Sequence, residues 1–376
     1  MAERIKVMQI IARMNVGGPA VIVAELMRGI DSSRFEQILI TGYCDETEAD
    51  FLDEVATDIK ATRIAGLGRS VSPIADFTAF LGLIRTIKTF KPDVIHTHTA
   101  KAGVLGRLAS IIAGRGAVRI HTFHGHLLHG YFAGWKTKLV VLIEKFFAKR
   151  THHLIAIGTE VKRELIAAGI GTASQYSVFF PGLPAPKAIS KSAAQSALGI
   201  GSQTLFITFV GRLTQIKRPD RLLGVAKECK QRGLDVRFLV AGEGELFESS
   251  KERSLKEQLN LTFFGWRSDI DQIFAASDIA ILTSDNEGIP LTLIQAAQAS
   301  LPIVATSVGS ISDIVINEST GYLTPTNPAD MADAIEKLVR DPQLRQMMGE
   351  AGKARAGQFF SLDRMLKDHS DLYRTL

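Results

Sequence analysis

The chain predicts an α/β protein built from two doubly wound, Rossmann-like parallel-sheet domains facing a central cleft. Three observations carry this expectation. Short β-branched runs alternate with longer segments of helical period almost from end to end, the pattern of βα units with parallel strands and helices on both faces. The 376 residues are enough for two domains, each with its own core. The alternation is broken once, at Phe180-Pro181-Gly182-Leu183-Pro184-Ala185-Pro186, where three prolines are too stiff and donor-poor for a helix or strand interior.

In order along the first half, strands are expected at Ile5 to Ile11, Gln37 to Thr41, Ala61 to Ala65, Val94 to Thr97, Val118 to Thr122, Leu154 to Ile157 and Ser177 to Phe180. Helices fall between them, at Ala20 to Ile30, Ile74 to Thr89, Ala102 to Ala113, Trp135 to Lys149 and Glu160 to Ala168. After the proline-rich linker a second series places strands at Leu205 to Val210, Val236 to Ala241, Leu261 to Phe264, Ile279 to Leu282 and Pro302 to Ala305. The helix Leu291 to Ser300 is apolar and belongs at the centre of its domain. A helical stretch ending near Gln358 precedes a last helix, Leu362 to Tyr373, which can fold back on the first domain. The expected boundaries are therefore 1–182, 188–360 and 361–376. Open α/β sheets bind ligands at the carboxyl ends of their strands, so the cleft is the expected site.

Composition narrows the function classes. With 46% hydrophobic and 22% charged residues, the chain is neither disordered nor fibrous. Cys44 and Cys229 lie in opposite halves, which excludes a disulfide framework or a thiolate metal site and suits the reducing cytoplasm. The N-terminus runs directly into a strand, with neither an apolar h-region nor a small-residue cleavage site. Leu139 to Ile143, the longest uncharged apolar run near the basic middle, falls far short of the ~18 residues of a spanning helix, so any membrane contact is expected to be peripheral. The formal net charge of +5 is concentrated: residues 85 to 150 hold 12 Lys/Arg against only Asp93 and Glu144. Such a segment either faces something anionic or is simply a solvated basic surface.

The residues that carry chemistry sit at strand ends. Asn15-Val16-Gly17-Gly18-Pro19-Ala20 follows the first strand, and a glycine pair before a proline in the first helical turn leaves backbone N–H groups bare, an arrangement that accepts phosphate. A tight turn is the plain alternative. In Gly211-Arg212-Leu213-Thr214-Gln215-Ile216-Lys217, two cations five residues apart can converge on one diphosphate and offset leaving-group charge without a metal. Gly242-Glu243-Gly244 closes another strand, and Phe264-Gly265-Trp266 offers aromatic and backbone groups to a planar base. Glu287-Gly288-Ile289-Pro290-Leu291 joins a carboxylate to a bare amide turn at the head of the apolar helix.

These segments, with Asp93-Val94-Ile95-His96-Thr97-His98 and Thr122-Phe123-His124-Gly125-His126, resemble in their order the retaining glycosyltransferases of family 4, which have the GT-B fold. The resemblance implies a sugar transfer from a nucleotide diphosphate sugar, with UDP the expected nucleotide, to an acceptor hydroxyl with retention, by front-face displacement in which the departing diphosphate helps deprotonate the acceptor. It implies that Gly17 and Gly18 approach the donor diphosphate and that Arg212 and Lys217 grip it. His124 would lie beside the transferred sugar and Glu287 on its hydroxyls, while Gly211, Gly242, Gly265, Trp266, Gly288, Ile289 and Leu291 complete the donor site. The family's second glutamate, which binds the ribose, is replaced by Gln295, which keeps hydrogen bonding but gives up charge-assisted strength. Arg218, where the family usually has glycine, adds a cation near the phosphates.

No metal or other cofactor is expected, and no nucleic-acid partner. Asp269-Ile270-Asp271 has the D-x-D spacing of metal-dependent transferases, but it follows Ser268 at an expected helix start, where an N-cap and a first-turn acid belong. His121, His124, His126 and His129 suggest zinc only until strand alternation splits them. On a helix, Trp135, Leu139, Leu142, Ile143 and Phe146 share one side and Lys138, Lys145 and Lys149 another, the pattern of an interfacial helix that would dock Arg85 to Arg150 on an anionic membrane and take a lipid-linked acceptor at the inner face. An epimerase or phosphorylase of the same fold, and a non-catalytic nucleotide-sugar binding subunit, are the alternatives.

Overall fold

The computed structural model describes residues 3–375 apart from 47, 115, 126–134 and 203, with Trp135 and Lys136 described by their backbone alone. The chain forms two compact units, one running up to Gly182 and resuming at Leu362, the other spanning Leu183–Ser361.

The first unit runs β1 Ile5–Ile11, α1 Gly18–Gly29, β2 Phe35–Thr41, α2 Phe51–Glu54, β3 Ala61–Arg63, α3 Pro73–Phe90, β4 Val94–His98, α4 Ala100–Ala113, β5 Val118–Phe123, α5 Trp135–Ala148, β6 His153–Ala156, α6 Thr159–Ala167 and β7 Tyr176–Val178. Its seven strands are parallel in the order β3-β2-β1-β4-β5-β6-β7, so the order reverses between β1 and β4. Strand alternation gives each face of the sheet its own core. Met8, Ile10 and Ile95 pack beneath α3 and α4 against Ala79, Leu83, Ile87, Ala102 and Ala109. Ile11 turns to the other face, with Val23 and Ala24 of α1.

The second unit runs α7 Lys191–Ala197, β8 Leu205–Val210, α8 Pro219–Gln231, β9 Val236–Ala241, α9 Phe247–Lys256, β10 Leu261–Gly265, α10 Ile270–Ala275, β11 Ile279–Leu282, α11 Leu291–Gln298, β12 Ile303–Thr306, β13 Gly321–Thr324, α12 Pro328–Arg340 and α13 Pro342–Phe359. Six parallel strands lie in the order β10-β9-β8-β11-β12-β13, again with a reversal, here between β8 and β11. The proline-rich linker begins this unit: Leu183 N–H donates to Phe360 O at 3.0 Å, and Gln298 Nε2 donates to Leu183 O at 3.3 Å.

The closing helix α14, Leu362–Thr375, returns to the first unit. A Cβ at Gly29 of α1 would lie 2.3 Å from Leu366, and Gly182 N–H donates to Met365 Sδ at 3.2 Å. The strand runs read from sequence differ at their ends. β3 stops at Arg63 and β7 at Val178, because Ile64 and Phe179 each keep one ladder bond, to Thr41 O and Ala156 O, and the pairing goes no further. β13 escaped the sequence reading: it is four residues opening on Gly321, at φ 156°, where a Cβ would sit 2.0 Å from Ile303 O. Among the described residues, no helix is long and apolar enough to cross a membrane.

Candidate functional site

In the first unit, the Gly17-Gly18 turn follows β1 at the carboxyl end of the sheet. Among the described residues no side chain caps α1, no acid stands in its first turn, and Pro19 is its second residue, so its leading amides stay bare. A Cβ at Gly17 would meet only Asn15 O, at 3.8 Å, an ordinary contact. The chain's own packing therefore makes no demand for glycine there.

β4 and β5 end in histidines that strand alternation divides between the two faces. His121 turns toward α4, its Nδ1 2.8 Å from Thr97 Oγ1 and its ring against Gly103, where a Cβ would come within 2.5 Å. His96, His98 and His124 lie on the opposite face. His98 Nδ1 is 2.9 Å from His124 Nε2, and His98 Nε2 is 2.9 Å from Gln9 Oε1. Burial pushes His124 down to about 3 and His369 of α14 to about 4, and drives His96, His98 and His121 well below the imidazole range. All five are neutral at physiological pH. His126 and His129 lie outside the described residues.

In the second unit, the turns after β8 and β11 are tied together by bonds to backbone carbonyls. Thr283 Oγ1 donates to Lys217 O at 2.8 Å, and Asp285 N–H donates to Ile216 O at 2.9 Å. This brings the Lys217 ammonium onto Glu287 Oε1, which also accepts from Ser284 Oγ at 2.6 Å. Both members of that ion pair are largely shielded, their side chains 19% and 11% exposed. Arg212 differs: its side chain is exposed, and its guanidinium has no hydrogen-bond or ion-pair partner among the described residues. Beyond Glu287, Gly288 and Ile289 lead into α11, whose N-terminus at Pro290 and Leu291 carries no side-chain cap. One fixed lysine, one free arginine and an open helix N-terminus therefore gather at the carboxyl ends of β8 and β11, a set of groups suited to a diphosphate.

Arg218 does not add to this charge. It adopts a left-handed conformation at φ 54°, and its guanidinium is held by Asp220 and Asp285, each at 2.9 Å, which raises its pKa further. The residue that shapes the second turn is one the sequence did not single out: buried Arg221 donates to the carbonyls of Thr283 and Ser284 and pairs with Asp285 at 2.6 Å. Only its burial distinguishes it from the other basic residues of an amphipathic helix.

The glycines separate into two kinds. Gly242, at φ 131°, would put a Cβ 2.1 Å from Gly211 O, and Gly244, at φ 150°, would put one 2.6 Å from Leu213 O. These two let the β9 loop lie against the β8 loop. Gly211 itself would make only ordinary contacts with Phe209. Gly265 turns at φ 69°, leaving Trp266 47% exposed with its backbone N–H on Glu243 Oε1 at 3.3 Å. Gln295, one turn into α11, lines a groove of about 770 Å³ with Asp271, Phe274 and Gln298. Arg212, Lys217 and Glu287 do not line it. Asp269 stands at the N-cap of α10 but does not cap it; its carboxylate is spent on Arg267 at 2.5 Å, while Asp271 is the first-turn acid.

A family model described as Glycosyl transferases group 1 matches residues 190–355, and one described as Glycosyl transferase 4-like domain matches residues 17–181. The chain is 32% identical over 357 residues to the UDP-Gal:alpha-D-GlcNAc-diphosphoundecaprenol alpha-1,3-galactosyltransferase of Escherichia coli, covering 90% of this chain and 89% of that one. It is 24% identical to the capsular polysaccharide biosynthesis glycosyltransferase CapM of Staphylococcus aureus, over 85% and 86% of the two chains. Among solved structures, HepE of Anabaena in complex with UDP and glucose superposes with a TM-score of 0.84 at 20% identity, covering 99% of this chain and all of that one. The lipopolysaccharide outer core galactosyltransferase WaaB, in its apo form, gives 0.76 at 16% identity over 99% and 100% of the chains. At those identities the likeness establishes the fold.

Proposed function

Because the chain belongs to the glycosyl transferases group 1 family and is a hexosyltransferase with the GT-B fold, we propose that it transfers a hexose from a UDP-sugar, with retention, to a lipid-linked acceptor in polysaccharide or lipid-linked sugar biosynthesis. The observation that carries the donor reading is the shielded Lys217–Glu287 pair with Arg212, exposed and unpaired among the described residues, at the uncapped start of α11. In this reading Arg212, Lys217 and the bare amides near Gly17 and Gly288 take up the negative charge that grows on the departing diphosphate. Glu287 and His124 hold the sugar, Gly265 and Trp266 the base, and Gln295 the ribose. These cations and amides meet the leaving-group charge without a metal, and activity in the presence of a chelator is the expected result. The UDP complexes of HepE and the UDP-galactose donor of the Escherichia coli relative support the choice of UDP. Incubation with UDP-galactose and UDP-glucose, with a GlcNAc-diphosphoundecaprenol acceptor and NMR of the product anomer, tests the reading. Absence of transfer from both donors, or an inverted product, would count against it.

The lipid-linked acceptor and a place at the inner membrane face draw support from α5. A helix on a doubly wound sheet must bury one apolar face, and α5 does so with Phe147 and Ala148, around the buried Arg107–Glu144 ion pair at 2.7 Å. Its second apolar ridge stays in solvent: Leu139, Leu142 and Phe146 are 48%, 65% and 47% exposed, at i, i+3 and i+7. Lys138 and Lys149 are exposed beside it, and the Arg150 guanidinium lies 3.8 Å above the Phe146 ring. The Trp135 side chain lies outside the described residues. In the same helical layer, α3 presents Ile74, Phe77 and Leu81 to solvent and continues that stripe with exposed Arg85 and Lys88. Apolar ridges flanked by cations fit an anionic leaflet, where each cation contributes ~1 kcal/mol. Sedimentation with anionic and neutral vesicles, at low and high salt, should show salt-sensitive binding to the anionic ones that Leu142→Glu weakens. Equal, negligible binding to both would point to a soluble acceptor.

A further inference from the structure

Beneath α14, a file of polar side chains crosses one face of the first sheet: Thr122 on β5, His96 and His98 on β4, and Gln9 on β1, with Tyr373 of α14 above them and His124 at the strand end. All but His124 are buried, and His124 is partly buried, its Nδ1 atom fully so. They are linked end to end. Thr122 Oγ1 lies 2.7 Å from His96 Nε2, and His96 Nδ1 lies 2.6 Å from Tyr373 OH. Gln9 Nε2 donates to Tyr373 OH at 3.0 Å, and Gln9 Oε1 faces His98 Nε2 at 2.9 Å. The last link joins His98 Nδ1 to His124 Nε2 at 2.9 Å.

The chemistry of the links sets where each proton lies. A carboxamide oxygen only accepts, so His98 must carry its proton on Nε2. A neutral imidazole has one ring proton, which leaves His98 Nδ1 as a lone pair. The hydrogen in the His98–His124 bond therefore belongs to His124 Nε2, and none remains for His124 Nδ1. That atom is buried and has no hydrogen-bond partner among the described residues. At the other end the order is consistent: Gln9 donates to Tyr373, Tyr373 to His96, and His96 to Thr122.

We propose that Gln9, acting through His98, is a positioning residue that fixes His124 as a hydrogen-bond acceptor, so that its Nδ1 receives a hydroxyl hydrogen of the transferred sugar. This rests on the reading that His124 meets the donor sugar. The choice of tautomer has a consequence for recognition. An imidazolium or an Nδ1–H would draw a phosphate oxygen, whereas a bare nitrogen repels it and holds a hydroxyl. The seam beneath α14 thus sorts sugar from diphosphate at this atom.

Nitrogen-15 NMR of the whole protein, labelled on histidine and measured without donor, reads the tautomer directly. The expected result is a protonated Nε2 and a bare Nδ1 at His124. A proton on Nδ1 would mean that the file runs the other way and would overturn the proposal, whether or not a nucleotide sugar is the donor. Gln9→Met removes the accepting oxygen, while Gln9→Glu keeps one at the same reach. In Gln9→Met the His124 signals should become a mixture of tautomers and kcat/KM for UDP-galactose should fall about tenfold, the effect of one lost hydrogen bond. Gln9→Glu should restore both. An unchanged tautomer in Gln9→Met refutes the relay, and if that variant does not fold, the wild-type and Gln9→Glu spectra still decide. A wild type that turns over no UDP-sugar while showing the expected tautomer would instead count against the donor reading alone.

Discussion

Acidification should destabilise the first unit through its buried histidines, and the size of the effect follows from their positions. His124 and His369 titrate at about 3 and about 4 in the folded chain, against 6.5 for a free imidazole. A group whose folded pKa is lowered contributes stability that is whole above the unfolded value and is lost as pH falls toward the folded one, because the unfolded chain takes up a proton that the native chain refuses. At about pH 5 each of these two histidines has cost about 2 kcal/mol relative to about pH 8, or about 4 kcal/mol together. His96, His98 and His121 act in the same direction. Carboxylates, which titrate near 4, add little over that range. Denaturant unfolding of the full chain at several pH values between those limits measures the slope. His369→Phe, which keeps a ring against Phe179 and His96, should remove about 2 kcal/mol of the pH dependence. Parallel curves for wild type and His369→Phe, or no loss of stability down to about pH 5, would refute the reasoning.

Other substitutions separate the chemistry from the scaffold. Arg212→Ala and Lys217→Ala should each lower kcat about a hundredfold in a steady-state transfer assay, since each removes a charge from a group whose negative charge grows in the transition state. Arg212→Ala should do so without moving the melting temperature, because the guanidinium is exposed and unpaired among the described residues, whereas Lys217→Ala removes one of the two groups, with Ser284, that hold Glu287 Oε1. Gln295→Ala should weaken UDP binding by ~1–3 kcal/mol in calorimetric titration, and Gln295→Glu should match or exceed wild type. Glu144→Gln should cost about 3–5 kcal/mol of stability in denaturant unfolding, because it strands the buried Arg107 guanidinium between α4 and α5.

The sequence by itself determined the two sheets, because a β-branched run bounded by helical period is a local signal that survives without any knowledge of neighbours. It also placed the chemical side chains correctly at strand ends: Arg212 and Lys217 after β8, Glu287 before α11 and His124 after β5. β13 was missed because four residues opening on glycine carry too little periodicity to stand out from a loop. Tertiary structure alone decided how the charges are spent. Arg218 and Arg212 look alike in the sequence, yet Asp220 and Asp285 claim the first while the second stays free, a difference set by acids two and sixty-seven residues away. Lys217 meets Glu287 across seventy residues only because the loops after β8 and β11 are bonded backbone to backbone. The same holds for the polar seam. Gln9, His98 and Tyr373 share no local pattern, and their proton order exists only once strand alternation turns them to one face and α14 closes over it. Periodicity is a property of neighbours in the chain, whereas the state of a proton or an ion pair depends on whichever groups the fold brings within about 3 Å.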